Sequence, residues 1–313
     1  MEGRSWEDLP FDCLALIFSK LGLEDLLLGV SLVCKSFHGA SMDPECWKIL
    51  DFEDLDFSTN SKFIPKFKHE YHINAAVSFN SLLKLCSARS HGCATKLSVP
   101  STNYSPVLPG LFLASTKCPG LKALSLPTLL QQDDKKLPEL IGNWKELETL
   151  ELKWKPISFL RIAEAIGANC PKFAELRLCG VIERRDAKAI VKNLPRLKRL
   201  EMTSSFMRRE DLVVILEGCR ELQAVDVSRS GGFDGDDELL KPFSARIKDF
   251  VSLDCKHTTP SKKIEPSSQQ TFTPAGSMDC VAQPDEKLKE EVQPSQKSIF
   301  RASLCRRDST LDR

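Results

Sequence analysis

The sequence predicts an α/β chain in three parts. A three-helix unit at the N-terminus leads into a short solenoid of parallel strands and helices, and a tail without regular structure follows. Three observations carry this expectation. Apolar residues recur at helical spacing between Trp6 and Trp47, a leucine-centred pattern returns every 24 to 26 residues from Leu121 to Val227, and periodicity ends after Cys255. With 313 residues, 42% of them hydrophobic, the chain can hold one elongated domain or two compact ones plus a tail.

In the first part, Leu9, Leu14, Ile17, Phe18 and Leu21 form one helical set, and Leu26, Leu27, Val30, Val33 and Phe37 a second. Pro10 suits a first helical turn because its φ is already fixed, and Asp12 favours the N-terminal dipole. Gly22 ends that helix and Glu24-Asp25 open the next. A third short helix is expected through His38 to Met42, stopped by Asp43-Pro44. Three helices in about 40 residues cannot hide this much apolar surface among themselves. Either they seal one end of a larger core, or one face awaits a partner.

The run Leu9-Pro10, Ile17-Phe18, Leu21, Leu26, Val30, Val33-Cys34-Lys35, Pro44 and Trp47 resembles the F-box across Trp6 to Trp47. Phe37 stands where that family usually carries Trp. The resemblance implies an F-box over residues 2–50 that binds a Skp-family adaptor and, through it, a cullin–RING ubiquitin ligase. It further implies adaptor contacts from Trp6, Leu9, Pro10, Leu14, Ile17, Phe18, Leu21, Leu26 and Val30.

From Asp51 to Lys68 the chain is polar and aromatic at once, and Asn60-Ser61 with Pro65 reads as a connection rather than a strand. Ile73 to Cys86 returns to helical spacing, with Val77, Leu82, Leu83 and Leu85 on one face. Residues 51–94 are therefore expected to be a linker and a linking helix.

Residues 95–255 carry the repeat. Leu121-x-x-Leu124-x-Leu126 is followed by units beginning at Leu147, Phe173, Leu197 and Leu222, with degenerate units at Leu97-x-Val99 and Ile247-x-x-Phe250. Cys118-Pro119, Asn143-Trp144, Cys170-Pro171, Leu194-Pro195 and Cys219-Arg220 precede the strands. Helical stretches come before that punctuation, clearest at Phe159–Ile166 and Asp211–Glu217. This unit resembles the leucine-rich repeat, which buries its leucines only by stacking into a curved solenoid. Leu129, Lys155 and Val181 occupy the signature place after the strand, so the turns are expected to depart from the family's regular form.

Strand alternation sends the leucines inward and the residues between them to the concave surface. One column is then Ser125, Glu151, Arg177, Glu201 and Asp226, and a second is Thr149, Glu175, Arg199 and Ala224. Glu151 and Glu201 flank Arg177, which predicts a ladder of charges on a polar face of mixed sign. Thr149, Glu151, Glu175, Arg177, Arg199, Glu201 and Asp226 are the expected contacts to a protein target. The competing location is the loops Pro127–Pro138 and Ser230–Glu238, which break the repeat's regularity.

The remaining chemistry is sparse. A net charge of +1 argues against broad electrostatic capture of nucleic acid or anionic membrane. No apolar run approaches a membrane span, and Met1–Ser5 does not read as a secretion signal. The twelve cysteines lie scattered in apolar segments, as expected of reduced thiols in cytoplasm or nucleus. Cys86, His91 and Cys93 lack a fourth zinc ligand, Cys118, Cys170 and Cys219 read as core fillers, and no catalytic constellation or cofactor site is legible. Residues 256–313 are rich in turn and disorder formers; only Ile299–Leu304 is modestly apolar, and Arg306-Arg307-Asp308-Ser309 resembles a kinase recognition string.

The whole resembles the plant F-box/leucine-rich-repeat proteins. The resemblance implies a non-catalytic substrate receptor of a Skp–cullin–F-box ligase, which presents a protein target for ubiquitination and degradation. The alternative is a leucine-rich-repeat interaction scaffold outside any ligase.

Overall fold

Pro10 opens the first helix, its carbonyl accepting the N–H groups of Cys13 and Leu14 at 3.0 and 3.1 Å. In this computed structural model the described residues are Trp6, 9–101 and 107–256. The expected tail beyond Lys256, with Ile299–Leu304 and Arg306–Ser309, lies outside them. The N-terminal unit comprises α1 (Phe11–Phe18), α2 (Leu23–Leu28) and α3 (Lys35–Ser41), followed by a 3₁₀ turn, Pro44–Trp47. Gly22 serves as the N-cap of α2 rather than the end of α1, whose C-cap is Ser19. The third helix begins at Lys35, not His38, because the Cys34 side chain caps it by accepting the Phe37 N–H at 3.5 Å.

Then come β1 (Ile49–Asp51), α4 (Phe63–Glu70), α5 (Phe79–Arg89), β2 (Lys96–Ser98), α6 (Leu108–Lys117) and β3 (Ala123–Leu126). The chain continues with α7 (Gln131–Asp134), α8 (Leu137–Ile141), β4 (Thr149–Leu152), α9 (Phe159–Asn169) and β5 (Glu175–Leu178). Last are β6 (Val181–Ile182), α10 (Arg184–Asn193), β7 (Arg199–Glu201), β8 (Phe206–Met207), α11 (Arg209–Gly218), β9 (Ala224–Asp226), α12 (Lys241–Arg246) and β10 (Asp249–Val251). One parallel sheet runs β1-β2-β3-β4-β5-β7-β9-β10, and β6 with β8 forms a second, two-stranded ribbon. Mixed helices and a parallel sheet stacked unit on unit make this an α/β repeat solenoid behind three helices.

The segment 51–94, expected as a linker and linking helix, is part of the solenoid itself. Ile49–Asp51 pairs with Lys96–Ser98, so β1 is the first strand and α4 and α5 are its return path. Pro65 falls in the first turn of α4, where its missing N–H costs nothing. The linking helix starts at Phe79 rather than near Ile73, because Ser78 and Ser81 close a capping box there.

The leucines behave as the period requires. Leu124, Leu150, Leu176 and Leu200 are in register across β3, β4, β5 and β7, all fully buried. Cys118, Cys170, Leu194 and Cys219 each end a helix by donating their N–H back to Ala114, Ile166, Ile190 and Ile215. The Cys170 thiol donates to the Trp144 carbonyl at 3.3 Å and the Cys219 thiol to the Leu194 carbonyl at 3.8 Å, each reaching the corresponding turn of the preceding unit. Burial pushes the Cys118, Cys170 and Cys219 thiols up to about 11.

The turns after the strands are regular where serine is available. The Ser205 hydroxyl donates to Leu178 O at 3.2 Å and accepts the Gly180 N–H at 3.2 Å. One unit later, Ser230 donates to Met202 O at 2.8 Å and accepts the Ser205 N–H at 3.3 Å, and the Cys255 thiol donates to Val227 O at 3.1 Å. These residues occupy the place that Leu129, Lys155 and Val181 fill earlier, so the departure from regularity is confined to the first units. Beside this ladder Gly232 has φ +98°, and a Cβ there would stand 2.1 Å from the Met207 carbonyl oxygen, so only glycine fits.

Buried carboxylates staple unit to unit on the helical side. Asp134 accepts the Ile157 N–H at 2.7 Å and the Ser158 N–H at 3.1 Å. Asp186 pairs with Lys155, and Asp211 with Arg184 at 3.3 Å and Arg208 at 3.1 Å.

Candidate protein-interaction surfaces

Helix α1 is apolar nearly all round, and a helix has only one side to give to its own core. Leu14, Ala15 and Phe18 take that side. The other side leaves Leu16 66% and Phe11 50% exposed, with Ile17 42% exposed and Trp6 and Val33 open beside the helices. Of the expected adaptor contacts, Trp6, Pro10 and Ile17 are exposed, while Leu9, Leu21 and Val30 are half-buried against the core. Leu14, Phe18 and Leu26 are corrected to core positions: they are buried and shape the face without forming it. Phe11, Leu16 and Val33, which were not among the expected contacts, are exposed beside them. For Leu16 the unbroken apolar run Cys13–Phe18 carries the signal, since consecutive residues about 100° apart cannot all face inward. Phe37 packs edge-on against Phe18, ring centres 5.1 Å apart, so the smaller aromatic still fills its place.

The helical unit is continuous with the solenoid. Trp47 is fully buried and donates its indole N–H to Ser41 O at 2.8 Å, while the Arg89 guanidinium lies 4.8 Å over its ring. From Phe52 through Phe79, Phe57, Phe63 and Phe67 to Tyr71 the aromatic rings touch in sequence.

On the concave face both columns are in the expected register. Ser125, Glu151, Arg177, Glu201 and Asp226 are successive partners, as are Thr149, Glu175, Arg199 and Ala224. The charges pair differently from a simple ladder. Arg177 binds Glu175 of its own strand at 2.7 Å and Glu201 of the next at 3.3 Å, and Arg199 reaches Glu201 at 3.6 Å. Burial works to lower the Arg177 pKa, but the bond from Glu175 and the charges of Glu201, Glu175 and Glu151 outweigh it and raise the value. The Thr149 hydroxyl donates to Glu175 at 3.5 Å, and Asp226 accepts the Ser228 N–H at 2.9 Å. Among the described residues Glu151 forms no ion pair, although it lies beside Arg177.

Sequence reasoning missed Glu53, whose carboxylate accepts the Ser125 hydroxyl at 2.8 Å and also pairs with Lys153. It was invisible because β1, which delivers it, was not recognised. Lys96 and Asp51 pair beside it at 3.0 Å. In the competing loop Pro127–Pro138, α7 places Asp133 and Asp134 in the interior, where Asp133 accepts the Val107 N–H at 2.9 Å, and leaves Gln131, Gln132, Lys135 and Lys136 exposed.

Comparison with known proteins agrees with this division. The F-box-like family model matches residues 6–53. Over 231 residues, 72% of this chain and 72% of the relative, the sequence is 29% identical to an F-box/LRR-repeat protein of Arabidopsis thaliana. It is 28% identical to Arabidopsis F-box protein FBW2 over 236 residues, covering 72% of this chain and 68% of that one. Against Arabidopsis F-box protein SKIP1 the identity is 24% over 246 residues, 72% of this chain and 79% of that one. With an F-box-like match at its start and a repeat solenoid behind it, the chain is similar over most of its length to plant F-box/leucine-rich-repeat proteins.

Proposed function

We propose that the chain is a substrate-receptor subunit of a Skp–cullin–F-box ubiquitin ligase. The observation that carries this is the outward apolar side of α1, with Phe11, Leu16 and Ile17 exposed on a unit whose core is otherwise complete. An apolar face that the solenoid does not cover favours a protein partner over a simple end cap. The F-box-like match and the likeness to SKIP1 and FBW2 support a Skp-type adaptor as that partner, and a cullin–RING ligase through it.

The chain's own contribution is then geometric, without a catalytic group or cofactor. The adaptor fixes α1, the Tyr71–Leu27 hydrogen bond and the Arg89–Trp47 contact join the arc to the helical unit, and the concave columns hold a target protein. Holding a target lysine near the recruited ubiquitin-conjugating enzyme raises its effective concentration. Such a receptor works in the cytoplasm, the nucleus or both, and its outcome is ubiquitination and degradation of the target.

The test is purification of the tagged full chain with its bound proteins. Recovery of both a Skp-family protein and a cullin is expected. A Skp-family protein without a cullin would favour the scaffold reading, and neither protein would overturn the docking face.

A further inference from the structure

Two of the carboxylates that staple unit to unit hold cations, and they differ in how many. Asp186 is complete with Lys155 and the Glu183 N–H, which it accepts at 2.9 Å. One unit later Asp211, fully buried, holds two arginines. Its Oδ1 takes Arg184 Nη1 of the preceding unit at 3.3 Å and its Oδ2 takes Arg208 Nε at 3.1 Å. A helix start disfavours cations, and the Lys155–Asp186 staple shows that one is enough, so the second arginine is surplus to the packing.

That surplus faces an open cavity of about 510 Å³ between the β6–β8 ribbon and the beginnings of α10 and α11. Arg184 and Arg208 are exposed. Among the described residues, Nη1 and Nη2 of Arg208, and Nε and Nη2 of Arg184, donate to no acceptor. Arg185 at the rim is paired with Glu183 at 2.7 Å, and Arg209 with Glu210 and Asp237 at 3.1 Å each. The lining thus sets three arginines against two carboxylates, Glu183 and Asp211, and carries one positive charge in excess. Val181 and Phe206, paired across the ribbon and half-buried, give it an apolar wall.

We propose that this cavity binds a glutamate or aspartate side chain from an acidic segment of the target protein, with Arg208 and Arg184 as donors. The receptor reading supplies only the source of that segment; the site stands on its own geometry. The two outward Nη groups of one guanidinium match the two oxygens of a carboxylate. Asp211 already fixes where both guanidiniums point, so little ordering remains to be done on binding. Charge chooses carboxylate over phosphate. One carboxylate neutralises the excess, whereas a phosphate, with about 1.5–2 negative charges, would leave the site negative beside Glu183 and Glu210. The apolar wall suits the methylene groups of a glutamate side chain.

Fluorescence anisotropy with the full chain and a labelled, end-blocked hexaglutamate peptide tests it, with hexaglutamine and a phosphoserine peptide of equal charge as comparisons. Binding of the glutamate peptide is expected, weakening as salt rises, with none of the glutamine peptide. Arg208→Gln should weaken it at least about fivefold with the thermal midpoint nearly unchanged, because Arg184 still staples Asp211. Arg208→Lys should recover only part of the binding, since an ammonium lacks the two-pronged fork. Lys172→Gln, in an exposed pair elsewhere on the solenoid, should leave it intact. No binding by the full chain, unchanged binding by Arg208→Gln, or an equal loss in Lys172→Gln would overturn the site. Tighter binding of the phosphoserine peptide would overturn the carboxylate assignment. Neither adaptor nor cullin is in the assay, so any of these failures leaves the receptor reading to the co-purification test.

Discussion

The Tyr71 hydroxyl donates to the carbonyl oxygen of Leu27 at 2.8 Å, joining α4 of the solenoid to α2 of the F-box across 44 positions of sequence. The same carbonyl accepts the Ser31 hydroxyl at 3.1 Å, so it does not depend on Tyr71 alone. The ring of Tyr71 stacks on Phe67 with centres 4.6 Å apart. Tyr71→Phe should therefore keep the stack, lose one bond, and cost about 1 kcal/mol in denaturant unfolding. A loss several times larger would mean that the hydroxyl organises the junction rather than trimming it.

On α1, adjacent residues have opposite jobs, and that separates docking from folding. Ile17→Asp and Leu16→Asp alter the exposed side and should abolish capture of a Skp-family protein with the thermal midpoint nearly unchanged. Phe18→Ala empties a buried site and should cost about 3–5 kcal/mol. Capture retained by both aspartate variants would remove α1 from the interface.

How far the sequence reaches is visible in such pairs. The repeat columns were legible because a two-residue alternation fixes every side chain once the leucines are placed. The inward and outward sides of α1 were not, since a continuous apolar run has no amphipathic phase to read. β1 escaped because three residues with one buried member, Leu50, carry no periodicity, and its concave charge Glu53 escaped with it. The three earliest signature positions, Leu129, Lys155 and Val181, suggested irregular turns, whereas Ser205, Ser230 and Cys255 continue a hydrogen-bond ladder that a longer comparison of units reveals.

That ladder is testable at Ser230, which is buried and bonded on both sides. Ser230→Ala leaves the Met202 carbonyl and the Ser205 N–H without this partner and should cost about 1–3 kcal/mol. Hydrogen exchange should rise first at the Ser205 amide. A neutral substitution would show that relaxation or water replaces the hydroxyl.

The thiols should separate by reactivity. Burial pushes Cys86 up to about 12, and Cys118, Cys170 and Cys219 up to about 11, whereas Cys13 and Cys93 are exposed. At pH 8 a thiol with a value of 11 is ionised in only about one molecule in a thousand, so brief alkylation should label Cys13 and Cys93 and spare the four. Because the folded values are raised, their contribution to stability is present below the ordinary thiol value and is lost as pH rises towards 11–12. Denaturation midpoints should accordingly fall on going from pH 8 to pH 11, and labelling of Cys170 in the native protein at pH 8 would contradict the buried assignment.

Target recognition is the remaining assignment, and the pairing pattern chooses its probe. Reversing Arg177 would leave Glu175 and Glu201 facing a third acid, confounding recognition with repulsion. Deleting Gln131–Lys136 would remove Asp133 and Asp134, which hold Val107, Ile157 and Ser158 in place. Glu151→Lys breaks no ion pair of the described residues; because Glu151 is half-buried beside Arg177, adaptor binding serves as the folding control for the added cation. For the loop, the exposed Gln131, Gln132, Lys135 and Lys136 can be changed together to alanine without touching the buried aspartates. A rigid concave array that needs little ordering to bind should make Glu151→Lys the damaging change, reducing target capture at least about tenfold while adaptor binding holds. Normal capture by Glu151→Lys with loss in the loop variant would move recognition from the strands to the loop.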